Sequence, residues 1–345
     1  MEKDMILALE DGSFYRGRNF GSRRPAVFRL TPDAGAVGYQ ELLTDPAVYG
    51  QGILFTYPLL GNYGVTAEDN ESTRVQASAV VTRQVCRDPS NFRSIQSVSE
   101  WLEDAGVPGI EGVDTREISL KLWRKGSMKA LLTEDMPPEK AGALLAESRL
   151  PASPVAGVSC AKRWYARTAD HTRRITVVDL GVRMSLIRAL NQAGCNVTVV
   201  PWNTPVETIL GLLPQGVVFS DGPGDPRELT APIRTADALL KRLPVLGIGL
   251  GCQVLGLAKS GRVEALPAGH FGVRPVKTAE GKVFTAAQHH RYTLTNSGGL
   301  RVTARDLSDG SPEAVDFGNG SFGVQFRGEE VPGVLQRFMR ETEGR

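Results

Sequence analysis

The stretch "PVLGIGLGCQVLGLA", residues 244–258, decides the fold of the second half of the chain. An apolar run of strand-forming residues ends in a Gly-rich corner, and helix-forming residues follow it. This order predicts a strand, a sharp turn and a helix, which is how many α/β enzymes present a nucleophile. Gly249 stands at the corner and has no side chain to present. The sequence therefore predicts a nucleophile elbow without its nucleophile.

The segments before the corner repeat an alternation of strands and helices. Short apolar runs that end in Gly or a turn lie at 175–181, 196–202 and 216–222. Helix-length segments lie between the runs at 183–193, 205–213 and 229–242. This alternation predicts a doubly wound, mostly parallel sheet with right-handed crossovers. After about residue 262 the chain changes to short strands separated by turn signals, which predicts an antiparallel extension of the sheet.

The first half predicts a separate α+β domain whose topology the pattern leaves open. A hairpin is expected around Asp11-Gly12, and amphipathic helices are expected in "SVSEWLEDAGV" (97–107) and "REISLKLWRKG" (116–126). A span rich in Pro, small and basic residues separates the two halves. We therefore expect an N-terminal domain at 1–150, a linker at 151–172 and a second domain at 173–345.

Composition excludes several classes of function. The chain has 345 residues, 41% of them hydrophobic, and a formal net charge of +2, so neither nucleic acid nor a membrane surface is an expected partner. No apolar run reaches the length of a membrane span. The four cysteines are far apart, which predicts free thiols and a cytoplasmic protein. No metal site is expected, and His270 in "AGHFG" is interpreted as a structural loop residue without an acid or histidine cluster around it.

Three loops are candidates for chemistry, because ligands collect beyond the carboxyl ends of parallel strands. In the loop "SDGPGDP" (220–226), Gly222 and Gly224 would allow the backbone to approach a ligand closely or to turn sharply. The corner at Gly249 offers neighbouring contact residues. In "VQFRGEEVPG" (324–333), Arg327 and Glu329 share a face if the segment is extended, but an arginine cannot act as a general base near neutral pH.

Together these segments resemble the small, glutamine-hydrolysing subunit of carbamoyl-phosphate synthetase, a class I glutamine amidotransferase with a Cys, His and Glu triad. In the first domain the resemblance rests on "VGYQELLTDPAVYGQGILFTYPLLGNYGV" (37–65), "NFR" (91–93) and "GVDTRE" (112–117). In the second it rests on "DLGVRMSLIRAL", "SDGPGDP", "GIGLGCQ" and "FGVQFRGEEVPG" in the same order. The resemblance covers nearly the whole chain and implies the amidotransferase fold in the second domain.

The chain departs from this family at the residues that carry the chemistry. The family's G-I-C-L-G-H-Q has Gly249 in place of Cys, and its H-P-E has Arg327 in place of His. Its Q-N-H-G-[FY] segment has His289 and Arg291 in place of Asn and Gly. Gly35 lies where members carry Ser or Gly. The residues that the family pattern retains around the implied substrate pocket are Gly222, Gly224, Leu250, Gln253, Tyr292 and Glu329.

These departures predict a small-subunit homologue that does not hydrolyse glutamine, because losing a triad nucleophile or base costs about a millionfold in kcat. Arg291 replaces a glycine of the family pattern, and its long side chain is expected to fill the implied substrate pocket. Glutamine is therefore a doubtful ligand. The resemblance implies that the first domain docks on a large synthetase subunit, in a heterodimer that serves arginine or pyrimidine biosynthesis. Because the triad is broken, we expect this complex to use free ammonia, with this chain as a structural or regulatory subunit. ATP and Mg²⁺ chemistry is expected only on that large subunit, with no cofactor in this chain, which by itself is expected to be catalytically inactive.

Two alternatives remain open from the sequence. The first is an active glutaminase with a relocated site, in which Cys252 acts as nucleophile and His290 as its base. The second is a binding or regulatory protein for a small anion, held by Arg183, Arg291 and Arg327.

Overall fold

The structure is a computed structural model that describes residues 4–152, 154–169, 171–295 and 299–343. It divides into two compact units, Met1–Ala152 and Ser153–Arg345. The span predicted as a linker, 151–172, contains a short helix, Pro154–Val158, and a strand, Trp164–Ala166, which pairs with a strand of the second unit. Elements this short show no periodicity, so the sequence pattern did not indicate them.

The first unit is built around a closed barrel, which the sequence pattern did not predict. Its strands are β1 Met5–Leu9, β2 Phe14–Gly21, β3 Ala26–Asp33, β4 Gln51–Phe55, β5 Leu59–Leu60, β6 Ala79–Val81, β7 Gln84–Val85, β8 Pro108–Glu111 and β9 Met128–Glu134. Its helices are α1 Tyr39–Thr44, α2 Val98–Asp104, α3 Thr115–Lys125 and α4 Pro138–Glu147. The barrel closes in the order β1-β2-β8-β6-β4-β3-β9, while β5 and β7 pair separately.

Local sequence signals explain the elements that were predicted in this unit. Strands β1 and β2 pair antiparallel around the turn at Gly12, as predicted. Ser97 and Glu100 form a capping box at the start of α2, which satisfies two free backbone N–H groups. Helix α3 ends where Gly126 takes a positive φ of 83°. The predicted hairpin and both predicted helices are confirmed.

The second unit has a doubly wound sheet, as predicted. After α5 Pro154–Val158 and β10 Trp164–Ala166, its strands are β11 Arg173–Asp179, β12 Cys195–Pro201, β13 Gly216–Phe219, β14 Val245–Ile248, β15 Val263–Thr278, β16 Val283–Leu294, β17 Arg301–Asp306, β18 Pro312–Gly318 and β19 Ser321–Val324. Its helices are α6 Met184–Gln192, α7 Val206–Gly211, α8 Thr230–Leu240, α9 Leu250–Ala258 and α10 Val334–Glu341.

The order of the strands in this sheet positions the candidate site. The strands run β10-β12-β11-β13-β14-β19-β18-β17-β15-β16, with parallel pairing from β12 to β19 and antiparallel pairing beyond it. The predicted antiparallel extension after residue 262 is therefore confirmed. The loops that follow β11, β13, β14 and β19 leave the same edge of the parallel sheet, which is where ligands bind in such folds.

Candidate functional site

The corner between β14 and α9 has the backbone of a nucleophile elbow. Gly249 adopts φ 53° and ψ −117°, a conformation that side-chain-bearing residues rarely adopt, and its N–H donates to the carbonyl of Val324 at 2.8 Å. A Cβ placed on Gly249 would lie 2.1 Å from Oδ1 of Asp221. The space that a nucleophile would occupy is therefore filled by a carboxylate from the neighbouring loop.

Asp221 also occupies the hydrogen-bond donors beside the corner. Its Oδ1 accepts the N–H of Leu250 at 2.9 Å and the N–H of Gly222 at 2.8 Å. Two backbone donors that converge on one oxygen, one of them following the nucleophile position, form the arrangement of an oxyanion hole. Gly222 packs closely on the loop after β11, because a Cβ there would clash with the carbonyl oxygen of Leu180. The carboxylate thus takes the place where an oxyanion would bind.

The sequence pattern did not indicate Asp221 as a site residue. It lies inside "SDGPGDP", which was interpreted through its glycines alone. The available signal was an acidic side chain directly before a glycine that was expected to line the pocket.

Glu329 is buried beside Arg183 rather than lying on an extended segment. Strand β19 ends at Val324, and Gly328–Glu330 form a single 3₁₀ turn, so the condition for Arg327 and Glu329 to share the face of an extended segment is not met. Oε1 of Glu329 accepts from Nη1 of Arg183 at 2.8 Å. Burial raises the pKa of the Glu329 carboxyl, and the charges of Arg183 and Arg327 oppose that rise only in part. The orienting acid of the family's triad is therefore held in an internal ion pair.

Arg183 is held by two carboxylates. Besides Glu329, its Nη1 contacts Oε1 of Glu330 at 2.9 Å, and its side chain is almost entirely buried. An arginine that already neutralises two acids offers little charge to an external anion. Arg327 lies nearby, where its backbone N–H donates to the carbonyl of Ala287.

The segment on β16 that the resemblance assigns to glutamine binding is crowded. His289 is buried against the ring of Phe271, with ring centres 4.9 Å apart. The guanidinium of Arg291 lies 5.6 Å from the ring centre of Tyr292, and that of Arg227 lies 5.4 Å from it. Burial raises the pKa of the Tyr292 hydroxyl. Two cationic side chains thus cover the tyrosine that the family pattern retains.

The remaining predicted contact residues have roles within the fold. Nε2 of Gln253 donates to the carbonyl of Tyr292 at 2.6 Å and to Oε1 of Gln325 at 3.2 Å. Gly224 has a φ of 102°, and a Cβ there would lie 2.7 Å from Cγ of Pro154. Gly35 belongs to the first unit, where it is exposed and its N–H donates to Asp33.

Cys252 lies inside the core of the second unit. Its side chain is 0% exposed, and burial raises the pKa of its thiol well above the ordinary value. A buried thiol with a raised pKa is a poor nucleophile. Nδ1 of His290, the suggested base, interacts with the carbonyl of Tyr292 at 2.9 Å. This arrangement argues against the relocated glutaminase site.

The expectation that His270 has no acid or histidine cluster around it is wrong. In the structure His270 is buried, with His290 opposite it in the β15–β16 pair. Asp309 and Glu313 lie within 2.7 and 3.3 Å of its two ring nitrogens. These contacts join residues up to 43 positions apart through strand pairing, which the local sequence pattern does not reveal.

Comparison with known proteins identifies the class of both units. The class I glutamine amidotransferase family model matches residues 176–342, and the model for the CPSase domain of the carbamoyl-phosphate synthase small chain matches residues 7–132. A glutamine amidotransferase from Thermotoga maritima of known structure is 18% identical, with a TM-score of 0.40, over 49% of this chain and 82% of its own.

Relatives that match almost the whole chain identify the family. The carbamoyl phosphate synthase small chain of Listeria monocytogenes serotype 4b is 39% identical over 99% of this chain and 97% of its own length. That of Bacillus caldolyticus is 36% identical over 95% and 92%. The chain belongs to the carbamoyl phosphate synthase small-chain family. Among the residues that the structure describes, no helix has the length and apolar character to cross a membrane.

Proposed function

We propose that this chain is a small-chain homologue that does not hydrolyse glutamine and acts as a structural or regulatory subunit of an ammonia-using carbamoyl phosphate synthetase. The observation that carries the proposal is the carboxylate of Asp221, which fills both the side-chain space at Gly249 and the oxyanion position. An anionic oxygen there would repel the negative charge that develops on an amide oxygen under attack.

The neighbouring positions support the same proposal. Gly249 offers no nucleophile, and the guanidinium of Arg327 does not accept a proton near neutral pH. Losing one such group costs about a millionfold in kcat in a well-studied hydrolase, and the losses are not additive. The pair of Arg183 and Glu329 keeps the former acid of the triad buried and neutralised.

We propose that a large synthetase subunit is the partner and that the first unit contacts it. Phe92, in the "NFR" segment, is 97% exposed, although the residues on both sides of it are anchored. Asn91 donates to the carbonyl of Tyr63 at 3.1 Å, and Arg93 donates to Glu68 at 2.9 Å. An exposed aromatic side chain is the kind of residue that anchors protein interfaces.

The remaining parts of the proposal concern location and chemistry. We propose that ATP and Mg²⁺ act on the large subunit, since the sequence of this chain lacks the G-x-x-x-x-G-K-[ST] motif. Four free cysteines support a cytoplasmic location. The ammonia-dependent product is carbamoyl phosphate, for which arginine and pyrimidine biosynthesis are the proposed uses.

The proposal is tested by co-expressing the chain with the large subunit found in the same organism. We expect the two to co-purify and to form carbamoyl phosphate from ammonia but not from glutamine. The Phe92→Ala variant should bind the large subunit about 10- to 100-fold more weakly, from the apolar area it loses. Val283→Ala, which truncates an exposed apolar residue of the second unit, is the matched control. Failure of the wild-type chains to associate would refute the subunit proposal.

A second experiment tests whether the carboxylate of Asp221 blocks glutamine hydrolysis, in addition to the absence of a nucleophile at Gly249 and a base at Arg327. Gly249→Cys with Arg327→His restores the nucleophile and the base. The introduced cysteine side chain displaces the carboxylate of Asp221, but the negative charge stays beside the oxyanion position. We therefore expect the double variant to have less glutaminase activity than the triple variant in which Asp221→Ala is added. Equal activity with and without Asp221 would show that its carboxylate does not block the site.

A further inference from the structure

Three buried side chains converge where the hairpin β15–β16 meets β18. His270 and His290 lie opposite each other in the hairpin, and Glu313 lies on β18. Their exposed fractions are 2%, 8% and 0%. Nδ1 of His270 is 3.3 Å and Nε2 of His290 is 3.9 Å from Oε1 of Glu313, and the three atoms all lie within 4.8 Å of one another. None of these groups belongs to the corner at Gly249.

The other ring nitrogen of each histidine is already occupied, which fixes how the rings are oriented. Nε2 of His270 is 2.7 Å from a carboxylate oxygen of Asp309, and Nδ1 of His290 is 2.9 Å from the carbonyl of Tyr292. Both neighbours are acceptors, so each of these nitrogens carries the proton. When both rings are neutral, the nitrogens that face Glu313 present lone pairs to its carboxyl group. A proton on Nδ1 of His270 is the competing way to fill the contact between His270 and Glu313.

This convergence of acceptors lacks a donor among the described residues. Nδ1 of His270, Nε2 of His290 and both carboxylate oxygens of Glu313 are buried without a hydrogen-bond partner there. Buried acceptors that face one another are costly unless a cation or a proton lies between them.

We propose that His270, His290 and Glu313 bind one divalent transition-metal ion, with Zn²⁺ as the best match. Two imidazoles and one carboxylate are a known zinc donor set, with Zn–N distances of about 2.0–2.1 Å. Ligand atoms of a tetrahedral site are then about 3.3 Å apart. The His270–Glu313 separation has this value already, and the His290–Glu313 separation needs to contract by about half an ångström. The two histidine nitrogens lie within 4.8 Å of each other and need to approach to the same distance.

The surroundings of the cluster match a metal site beyond the three ligands. A ligating histidine commonly donates its second N–H to a carboxylate or a backbone carbonyl, which orients the ring. Asp309 and the carbonyl of Tyr292 hold these positions. Three protein ligands leave a fourth position for a water molecule. Because all three ligands are buried, we propose that the ion stabilises the fold. The ion would link β16, which carries His289, Arg291 and Tyr292, to β18.

The test uses the full chain, stripped with a chelator and then titrated with Zn²⁺ or Co²⁺. We expect one equivalent to bind at micromolar concentration, a raised Tm with Zn²⁺, and the visible spectrum of tetrahedral Co²⁺ without a thiolate charge-transfer band. Glu313→Gln and His290→Gln should each abolish binding. Asp309→Asn should weaken it about 10- to 100-fold. His171→Ala, at an exposed histidine, should leave it unchanged.

Two results would overturn the proposal. One is a wild-type chain that neither binds an equivalent of metal nor changes its Tm, which would leave a proton shared between His270 and Glu313 in the cluster. The other is a thiolate charge-transfer band, or full binding in folded Glu313→Gln protein, since either places the ion elsewhere. The wild-type spectrum decides the question even if both ligand variants fail to fold.

Discussion

Substituting Gly249 by Ala should destabilise the protein through a contact with Asp221. A Cβ at position 249 would lie 2.1 Å from Oδ1 of Asp221, so the carboxylate has to move by about 1 Å to reach a normal contact distance. That movement breaks its hydrogen bonds to the N–H groups of Gly222 and Leu250. Hydrogen bonds to a charged group contribute about 1.5–3 kcal/mol each. The positive φ of residue 249 adds strain of about 1–3 kcal/mol.

A double-mutant cycle separates these two contributions. In the Asp221→Ala background the carboxylate is gone, so Gly249→Ala should cost only the backbone strain of about 1–3 kcal/mol. We expect a coupling energy of about 3 kcal/mol between positions 221 and 249, which is the sum of two such hydrogen bonds at the lower end of their range and the upper limit usual for residues in contact. Gly211→Ala in α7 is the control, because a Cβ there meets nothing within 4 Å.

The assay is urea unfolding at equilibrium, followed by circular dichroism, for the wild type, both single variants and the double variant. A coupling energy within about 0.5 kcal/mol of zero would refute the placement of Asp221 in the space at the corner.

Two further predictions concern the buried charges and thiols. Arg183→Met should lower the free energy of unfolding by about 3–5 kcal/mol, because Glu329 is then buried without its partner, and adding Glu329→Gln should recover much of that loss in urea unfolding. A decrease of less than about 1 kcal/mol in the free energy of unfolding of Arg183→Met would contradict the buried ion pair of Arg183 and Glu329. Cys252 should react with a thiol reagent at pH 8 only on unfolding, whereas the partly exposed Cys86 should react in the folded protein, as mass spectrometry of the labelled peptides can show. Rapid labelling of Cys252 in the native state would instead support the hypothesis that Cys252 is the nucleophile of a relocated glutaminase site.

Much of the second unit was predictable because its signals are local. Apolar runs such as "ITVVDLG" and "GVVFSDG" end at the sheet edge where β11 and β13 end, and Gly249 takes the positive φ that the corner requires. The closed barrel of the first unit was not predictable, since β3 pairs with β9 about 100 residues away. Strand pairing of this kind depends on long-range contacts that periodicity does not encode.

The candidate site was predictable where one residue decides the chemistry and unpredictable where two loops meet. That Gly249 and Arg327 stand where the family pattern has Cys and His follows from residue identity alone. The positions of Asp221 at the corner and of Arg183 beside Glu329 depend on tertiary contacts between separate loops. The fold determines which hydrogen bonds such side chains form. A sequence motif therefore indicates which loop lies at the site, but not which residues its side chains contact.

The most direct test of the central claim is the release of glutamate from glutamine by the purified chain in complex with its large subunit. The account predicts no release above that of a control lacking this chain, while ammonia still supports carbamoyl phosphate formation. Glutamate formed in proportion to the amount of wild-type chain would contradict it.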